Sequence, residues 1–317
     1  MSFSPQHFDR LRLRHLRLLE LIDRHGSLRE VGKILNLTQP AVSQMVKDLE
    51  LALGATLIER SVRGVALCPA GKLALQRARA GLATFDHLVS ELREDRVLTL
   101  RIGTNSALIP NILPAALRRL GDMKAGIRYR LHTGIVSDMM HELAEGTLDC
   151  YVGRMDWDQV PPNLAEGLRY DPLTRTGLVL ACPLAHPLAK RAGLEASDLA
   201  GQQWALPPHD SSNRLVLETG LRNLGLEAPV SEVEVAADPA ALIHLARELT
   251  LITCVPMLAL EAHLASGQFR VLNVPELDLP PIRIGFVTLK EQEDIPPLQD
   301  FRQALIEVTK GTVVQQL

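Results

Sequence analysis

The sequence predicts an N-terminal all-α segment carrying a winged helix-turn-helix, joined by a long helix to an α/β body. Three observations carry this. Two short helical patterns, separated by a tight turn, occupy residues 27–53. A helical pattern free of interior proline follows from Pro69 to about Arg93. Beyond Arg96, short apolar strands alternate with helices, the mark of α/β domains with largely parallel sheets.

The 317 residues are enough for two to three domains. With 46% hydrophobic and 22% charged residues, the chain reads as an ordinary globular protein. No run approaches the roughly 18 apolar residues of a bilayer span, so no membrane partner is expected. Met1 to Arg17 carries charges without an apolar core, so no secretory signal is read there, and a cytoplasmic location is expected. Cys68, Cys150, Cys182 and Cys254 lie far apart and form no CxxC pair. That spacing excludes a disulfide scaffold and a zinc ribbon; no metal site and no cofactor is expected.

Charge is divided unevenly. Residues 1–96 carry 15 Lys+Arg against 11 Asp+Glu, while the remainder carries 19 against 26. A basic segment on an acidic body suggests that only the N-terminal part meets a polyanion. Its aromatic residues are Phe3, Phe8 and Phe85 alone, too few for stacking on single strands. Any nucleic acid partner is therefore duplex DNA, read through a groove.

Leu13, Leu16, Leu19, Leu21 and Ile22 recur at helical spacing up to Gly26. Ser27 with Glu30 three positions on forms a capping box for a second helix running to about Leu35. Asn36-Leu37 is the tight turn. Thr38 is the next N-cap, with Pro40 in the first turn, where its missing amide costs little. The helix after Thr38 has an apolar stripe, Val42, Val46, Leu49 and Leu53, and a polar one, Gln39, Ser43 and Lys47, flanked by Pro40 and Gln44. A solvated surface helix would show the same polarity. Within a helix-turn-helix, however, these amide, hydroxyl and ammonium groups are the ones that bond base edges and phosphates. Gly54 ends the helix. Residues 57–60 and 65–67 then flank a hairpin tip, with Arg60 and Arg63 placed for phosphate or minor-groove contact.

Leu75, Ala78, Leu82, Phe85, Val89 and Leu92 are spaced 3, 4, 3, 4 and 3. This is an a/d seam of about three heptads and predicts a dimerisation helix. Such a helix would set two recognition helices a whole number of DNA turns apart.

The stretch from Leu16 to Gly71, with TQPAVSQMVKDLE followed by LG, LIER and RGVAL, strongly resembles the LysR-type transcriptional regulators. The resemblance implies a DNA-binding domain (1–68), a linker helix (69–95) and a two-lobed, periplasmic-binding-protein-like effector domain (96–317). It implies base reading by Gln39, Pro40, Ser43, Gln44 and Lys47, with Ser27, Thr38, Arg60 and Arg63 holding the backbone. It also implies a homodimer or homotetramer, a small-molecule effector and RNA polymerase as partners. There are departures. Val31-Gly32 stands where two alanines are usual, and glycine inside a helix costs up to about 1 kcal/mol relative to alanine. Cys68 replaces a better N-cap, and Ile58 a usual Phe. Arg247-Glu248-Leu249-Thr250 stands where a Gly-x-Gly turn is common.

In the body, strands fit 97–103, 128–133, 148–153, 177–181, 204–206, 233–235, 250–255 and 282–289. Pro161-Pro162 and Pro280-Pro281 suggest two crossings between lobes, giving one lobe of residues 97–165 and 274–317 and an inserted lobe of 166–273. Ligands in open α/β sheets sit beyond strand carboxyl ends and near helix N-termini, which favour anions. The candidates are Thr104, Asn105, Ser106, Ile135, Ser137 and Arg154 in the first lobe, and Pro207, His209, Ser211 and Thr253 in the second. A small anionic effector suits them, and a sugar or sugar acid fits them too.

No GxSxG, HExxH or GxGxxG occurs, so no enzyme is expected. A transport-type binding protein would leave the N-terminal third unexplained. A thiol-based redox sensor on the same fold is the alternative, with Cys182 and Cys254 as its candidate pair.

Overall fold

The computed structural model describes residues 11–61, 64–92, 98–123, 127–157, 160, 162–236 and 238–310. They divide into two compact units, residues 1–98 with 141–148, and residues 99–140 with 149–317.

The first unit opens with α1 (Leu13–His25), α2 (Leu28–Leu35) and α3 (Gln39–Leu53). The wing, β1 (Ile58–Ser61) and β2 (Gly64–Leu67), is an antiparallel hairpin, and α4 (Pro69–Leu92) follows. The core joins Leu18, Leu19, Ile22, Val31, Val42, Val46, Leu49 and Leu57. Leu13 and Leu53, expected on apolar stripes, are exposed, and Leu18 and Met45 are buried in the core instead. Gly71 fixes the start of α4. A Cβ there would lie 2.0 Å from the Leu57 carbonyl oxygen, so only glycine lets the helix approach β1.

The long helix does not present its whole heptad seam. Leu75 and Ala78 are buried in the core of this unit, and Leu82 is also buried, whereas Phe85, Val89 and Leu92 are exposed. The first half of the predicted seam therefore packs within the chain, because α4 closes the core formed with α1. Of the seam positions, those of the second half are the exposed ones, with exposed Leu88 beside them.

The second unit holds two five-stranded sheets. One has the order β4-β3-β5-β12-β6, built from β3 (Leu98–Thr104), β4 (Ile127–Thr133), β5 (Cys150–Arg154), β6 (Leu168–Thr176) and β12 (Ile282–Leu289). The other has the order β11-β7-β10-β8-β9, built from β7 (Leu178–Pro183), β8 (Trp204–Leu206), β9 (Ser231–Glu234), β10 (Ile252–Pro256) and β11 (Phe269–Leu272). β3 and β5 are parallel, as are β10, β8 and β9, while β12, β7 and β11 bring antiparallel pairing. The helices are α5 (Ile112–Met123), α6 (Val136–Ala144), α7 (Pro162–Ala165), α8 (Ser212–Asn223), α9 (Pro239–Leu249), α10 (Met257–Ala265) and α11 (Pro296–Thr309).

The expected lobe boundary at 165/166 is corrected. β6 runs along β12 from Leu168↔Leu289 to Thr176↔Ile282, so residues 168–176 belong to the first sheet. The first crossing falls at Gly177, after β6, and not at Pro161-Pro162. The second lies between the end of β11 at Leu272 and the start of β12 at Ile282, a segment that includes Pro280-Pro281. Strands β6 and β11 escaped the sequence reading. β6 carries four charged or polar side chains at half-buried positions and shows no apolar run.

Candidate functional site

In the first unit the polar face of α3 is built by its cap. Thr38 Oγ1 accepts from the Ala41 amide at 3.4 Å. Ser27 Oγ accepts from the Glu30 amide at 3.5 Å at the start of α2. The reciprocal half of the expected capping box is replaced, because the Glu30 carboxylate bonds Lys33 Nζ at 2.8 Å and is held below its ordinary range by it. The turn places Asn36 in the left-handed region at φ 55°, and the Leu37 amide donates to Gly32 O at 2.8 Å. A Cβ on Gly32 would lie 2.8 Å from the Leu37 oxygen. The close turn therefore uses this glycine, which helix propensity alone marks as a defect.

Gln39, Pro40, Gln44 and Lys47 are exposed along α3, and Ser43 is half-buried beside them. Gln44 Nε2 donates to Asp48 Oδ1 at 2.8 Å, one turn on. Arg60 is exposed on the wing, whereas Arg63 lies outside the described residues. Sequence reasoning missed Glu50. Its carboxylate accepts from the Leu57 amide at 2.8 Å and the Ile58 amide at 3.4 Å, fixing the wing to the end of α3. An acidic residue just before a helix-ending glycine is the signal that could have marked it. The arrangement is a helix with exposed hydrogen-bonding groups and a hairpin bearing exposed Arg60 tied to its end, which suits a major groove and its flanking phosphates.

In the second unit the carboxyl ends of β3, β4 and β5 lie together, with the Gly134 amide 3.4 Å from Thr104 O. Thr104 is buried, and its Oγ1 donates to Val152 O at 2.9 Å, so it serves the sheet. Ser106 Oγ donates to Asp238 Oδ1 at 3.2 Å, joining the end of β3 to the N-cap of α9 in the other lobe. Arg154 Nε donates to Asp156 Oδ1 at 2.7 Å, and its Nη1 donates to Asn213 Oδ1 at 2.6 Å. Ser212 Oγ donates to Asp156 Oδ2 at 2.6 Å. The first turn of α8 is thus bound to the end of β5. Asp156, Asn213 and Asp238 were not read from the sequence, since nothing local marks a side chain that reaches across a cleft.

Of the other candidates, Ile135 is exposed, Ser137 and Ser211 are half-buried and Pro207 is buried. Exposed His209 turns to Glu218, with Nδ1 3.0 Å from Oε1. Thr253 does not end its strand. It sits opposite Ala181 and Ala205, fully buried, because β10 continues to Pro256. The Thr253 Oγ1 and Asn105 Oδ1 atoms are buried and meet no hydrogen-bond partner among the described residues. In place of the Gly-x-Gly turn, Thr250 ends α9 in the left-handed region at φ 56°. No His/Cys/Asp/Glu group that could hold a metal occurs among the described residues, and no helix there is long and apolar enough to cross a membrane.

The four cysteines are free. Burial raises the Cys182 thiol to about 11 and drives Cys150 and Cys254 well above the ordinary thiol range. Cys68 Sγ donates to Thr56 O at 3.0 Å. Since the thiolate is the reactive form, Cys182 and Cys254 do not favour thiol sensing.

Two family models match the chain. One, the bacterial regulatory helix-turn-helix protein of the lysR family, covers residues 13–72; the other, the LysR substrate binding domain, covers residues 93–310. Among curated relatives, the HTH-type transcriptional regulator GbpR of Azospirillum brasilense is 30% identical over 246 residues, covering 75% of this chain and 69% of its own length. A probable RuBisCO transcriptional regulator of Cyanophora paradoxa is 28% identical, with 70% and 68% covered. Among solved structures, ArgP from Mycobacterium tuberculosis superposes with a TM-score of 0.71 at 18% identity, covering 95% of this chain and 98% of that one. LysG from Corynebacterium glutamicum, solved with bound effector Arg, gives 0.67 at 18% identity, covering 96% and 99%. At such identity the structural likeness speaks for the fold.

Proposed function

The chain belongs to the LysR family of DNA-binding transcription regulators with an effector-binding domain, and from that premise we propose how it reads DNA and is switched. Two copies of α3 enter successive major grooves of a partly palindromic promoter site, in a homodimer or homotetramer. Gln39, Ser43, Gln44 and Lys47 meet base edges, with Pro40 packing beside them. Ser27, Thr38, Arg60 and Arg63 hold phosphates. The exposed Phe85, Val89 and Leu92 face supplies the dimer contact. The protein acts in the cytoplasm, and RNA polymerase is the partner through which it alters transcription.

The switch is a small anionic metabolite in the cleft between the two sheets. The observation that supports it is the bridge from Arg154 to Asn213, with Asp156 and Ser212 beside it. A ligand carboxylate that takes over the Arg154 guanidinium must displace Asp156 and Asn213, and so changes how the lobes are joined. Asn105, Ser106, Ile135, Ser137, Pro207, His209, Ser211 and Thr253 line or back the same cleft. A ligand shifts the protein only by its differential affinity for the two arrangements.

The test is DNase footprinting on the DNA upstream of the protein's own gene, at two salt concentrations. Protection of two half-sites a whole number of turns apart is expected. A panel of carboxylic acids is then added and the footprint read again. Failure to bind any duplex, including random sequence, would overturn the DNA reading. No change with any acid would overturn the anionic effector.

A further inference from the structure

In the unit formed by residues 1–98 and 141–148, one guanidinium serves three carboxylates. Arg79, largely buried in the middle of α4, lies with Nε 3.5 Å from Glu20 Oε1 and Nη2 3.7 Å from Asp23 Oδ2, both on α1. Its Nη1 donates closely to Glu145 Oε1. Glu145 belongs to the turn that ends α6. The Glu145 amide bonds His141 O at 2.8 Å and the Thr147 amide bonds Glu142 O at 3.0 Å. The turn also lies against the backbone of α4. At Gly146, with φ +70°, a Cβ would lie 2.9 Å from Arg79 O and 3.1 Å from Ala83 Cβ. No larger residue could bring Glu145 so near without moving the helix.

The three contacts are unequal. Arg79 is drawn to Glu145, while its pairs with α1 are at the long end of ion pairing. A guanidinium has a planar fork, so engaging Glu145 more closely leaves fewer donors for Glu20 and Asp23. The other end of α6 carries Ser137, at the candidate effector cleft. The same helix therefore begins where an effector would bind and ends on the cation that ties α1 to α4.

We propose that Arg79 is a positioning residue for DNA recognition, shared between α1 and the 145–147 turn, and that movement of this turn resets the seat of the helix-turn-helix on α4. When Glu145 withdraws, Arg79 closes on Glu20 and Asp23 and α1 is drawn toward the middle of α4. When Glu145 advances, α1 is released. Because α2 and α3 share one core with α1, they follow. The proposal rests on the DNA-binding reading above.

The experiment uses the full chain and its Glu145→Gln, Arg79→Gln and double variants, with Arg79→Lys as a charge-conserving control for folding. Affinity is measured for the DNA upstream of the protein's own gene and for random duplex, and hydroxyl-radical footprints are compared. Glu145→Gln is expected to leave random-duplex affinity within about twofold, since no phosphate contact changes. It should alter affinity for the upstream DNA by about 2- to 30-fold, the range of coupling through a contact network, with an altered footprint. The double variant should match Arg79→Gln alone, because the two residues act through one contact. Additive effects, or footprints like the parent's in both single variants, would overturn the proposal. Hydrogen exchange gives a reading that needs no DNA. Arg79→Gln should speed exchange at both 20–25 and 145–148, and Glu145→Gln mainly at 145–148. Unchanged exchange in Arg79→Gln would overturn the shared anchor even if DNA binding persists. If the parent binds no DNA, the DNA reading fails while the exchange arm still decides whether Arg79 joins the two segments.

Discussion

Arg154 Nη1 donates to Asn213 Oδ1 at 2.6 Å, joining residues 59 positions apart in two different sheets' lobes. Asp156 completes the link, accepting from Arg154 on one oxygen and from Ser212 on the other. The cation is thereby compensated within the protein before any ligand arrives. The carboxylate proposed to bind here would have to exchange with the resident Asp156 for the Arg154 guanidinium.

Asn213→Ala removes one charge-assisted hydrogen bond from that link, an interaction worth about 1.5–3 kcal/mol when made to a charged group. Arg154 is about one-fifth exposed, so the lower end of that range applies. The variant should open the cleft without unfolding either sheet. Trp157, adjacent to the link and edge-on to Tyr170 at 5.8 Å, should report this as a changed emission spectrum. A spectrum identical to the parent's, with identical quenching by iodide, would mean the bridge does not hold the lobes.

Gln39→Ala should lower the preference for operator over random duplex by about 1–3 kcal/mol if Gln39 makes a bidentate base contact. Arg60→Ala should instead weaken binding to both duplexes and reduce the salt slope by about one unit. Competition binding at two salt concentrations separates the two. An unchanged specificity ratio for Gln39→Ala would remove it from base reading.

How much was legible in the sequence follows from where the information sits. Thr38, Asn36 and Gly54 act on backbone within a few positions, and the caps and the turn stand where the sequence places them. The periodicity of α4 was equally clear, but period alone does not say which partner a stripe faces, and Leu75 and Ala78 face their own domain. β6 was lost because a strand laid along β12 needs no apolar run when its side chains are half-exposed. The cleft residues Asp156, Asn213 and Asp238 were invisible for a different reason. Their roles depend on contacts spanning 56 to 132 positions, which no local pattern encodes.

Phe85→Asp combined with Val89→Asp should produce monomers. Both side chains are more than two-fifths exposed, so two charges there cost the fold little, while in a coiled-coil seam they are buried without partners. Leu82 is unsuitable for this test because it is buried within the chain. Light scattering reads the result. Unchanged oligomers would move the interface off α4.

Thr250→Gly should stabilise the protein. Thr250 is β-branched and held at φ 56°, a conformation that costs an L-residue roughly 1–2 kcal/mol. Glycine removes that strain and returns part of it as unfolded-chain entropy, leaving a gain of about 0.5–1 kcal/mol. Denaturant titration of the variant should show a higher midpoint with the same slope. A lower midpoint would mean the Thr250 side chain contributes more than its backbone loses.

His15 gives the first unit a dependence on pH. It is buried at the third position of α1, and its Nδ1 accepts from the Arg12 amide at 2.9 Å, the place a Glu or Gln takes in a capping box. Burial, with the nearby Arg14 charge, lowers its pKa from the ordinary 6.5, against the opposing pull of the Arg12 carbonyl. A group whose folded pKa lies below its unfolded value stabilises the fold above the unfolded value. That contribution is complete above pH 6.5 and falls away as the pH drops through the folded value, where the ring must protonate and surrender its acceptor nitrogen. Hydrogen exchange at the amides of α1 should therefore quicken between pH 7 and pH 5, after correction for the intrinsic rate. His15→Gln keeps the acceptor and cannot titrate, so its corrected protection should stay flat across that range. A slope in the variant equal to the parent's would assign the dependence to another group and leave His15 a packing residue.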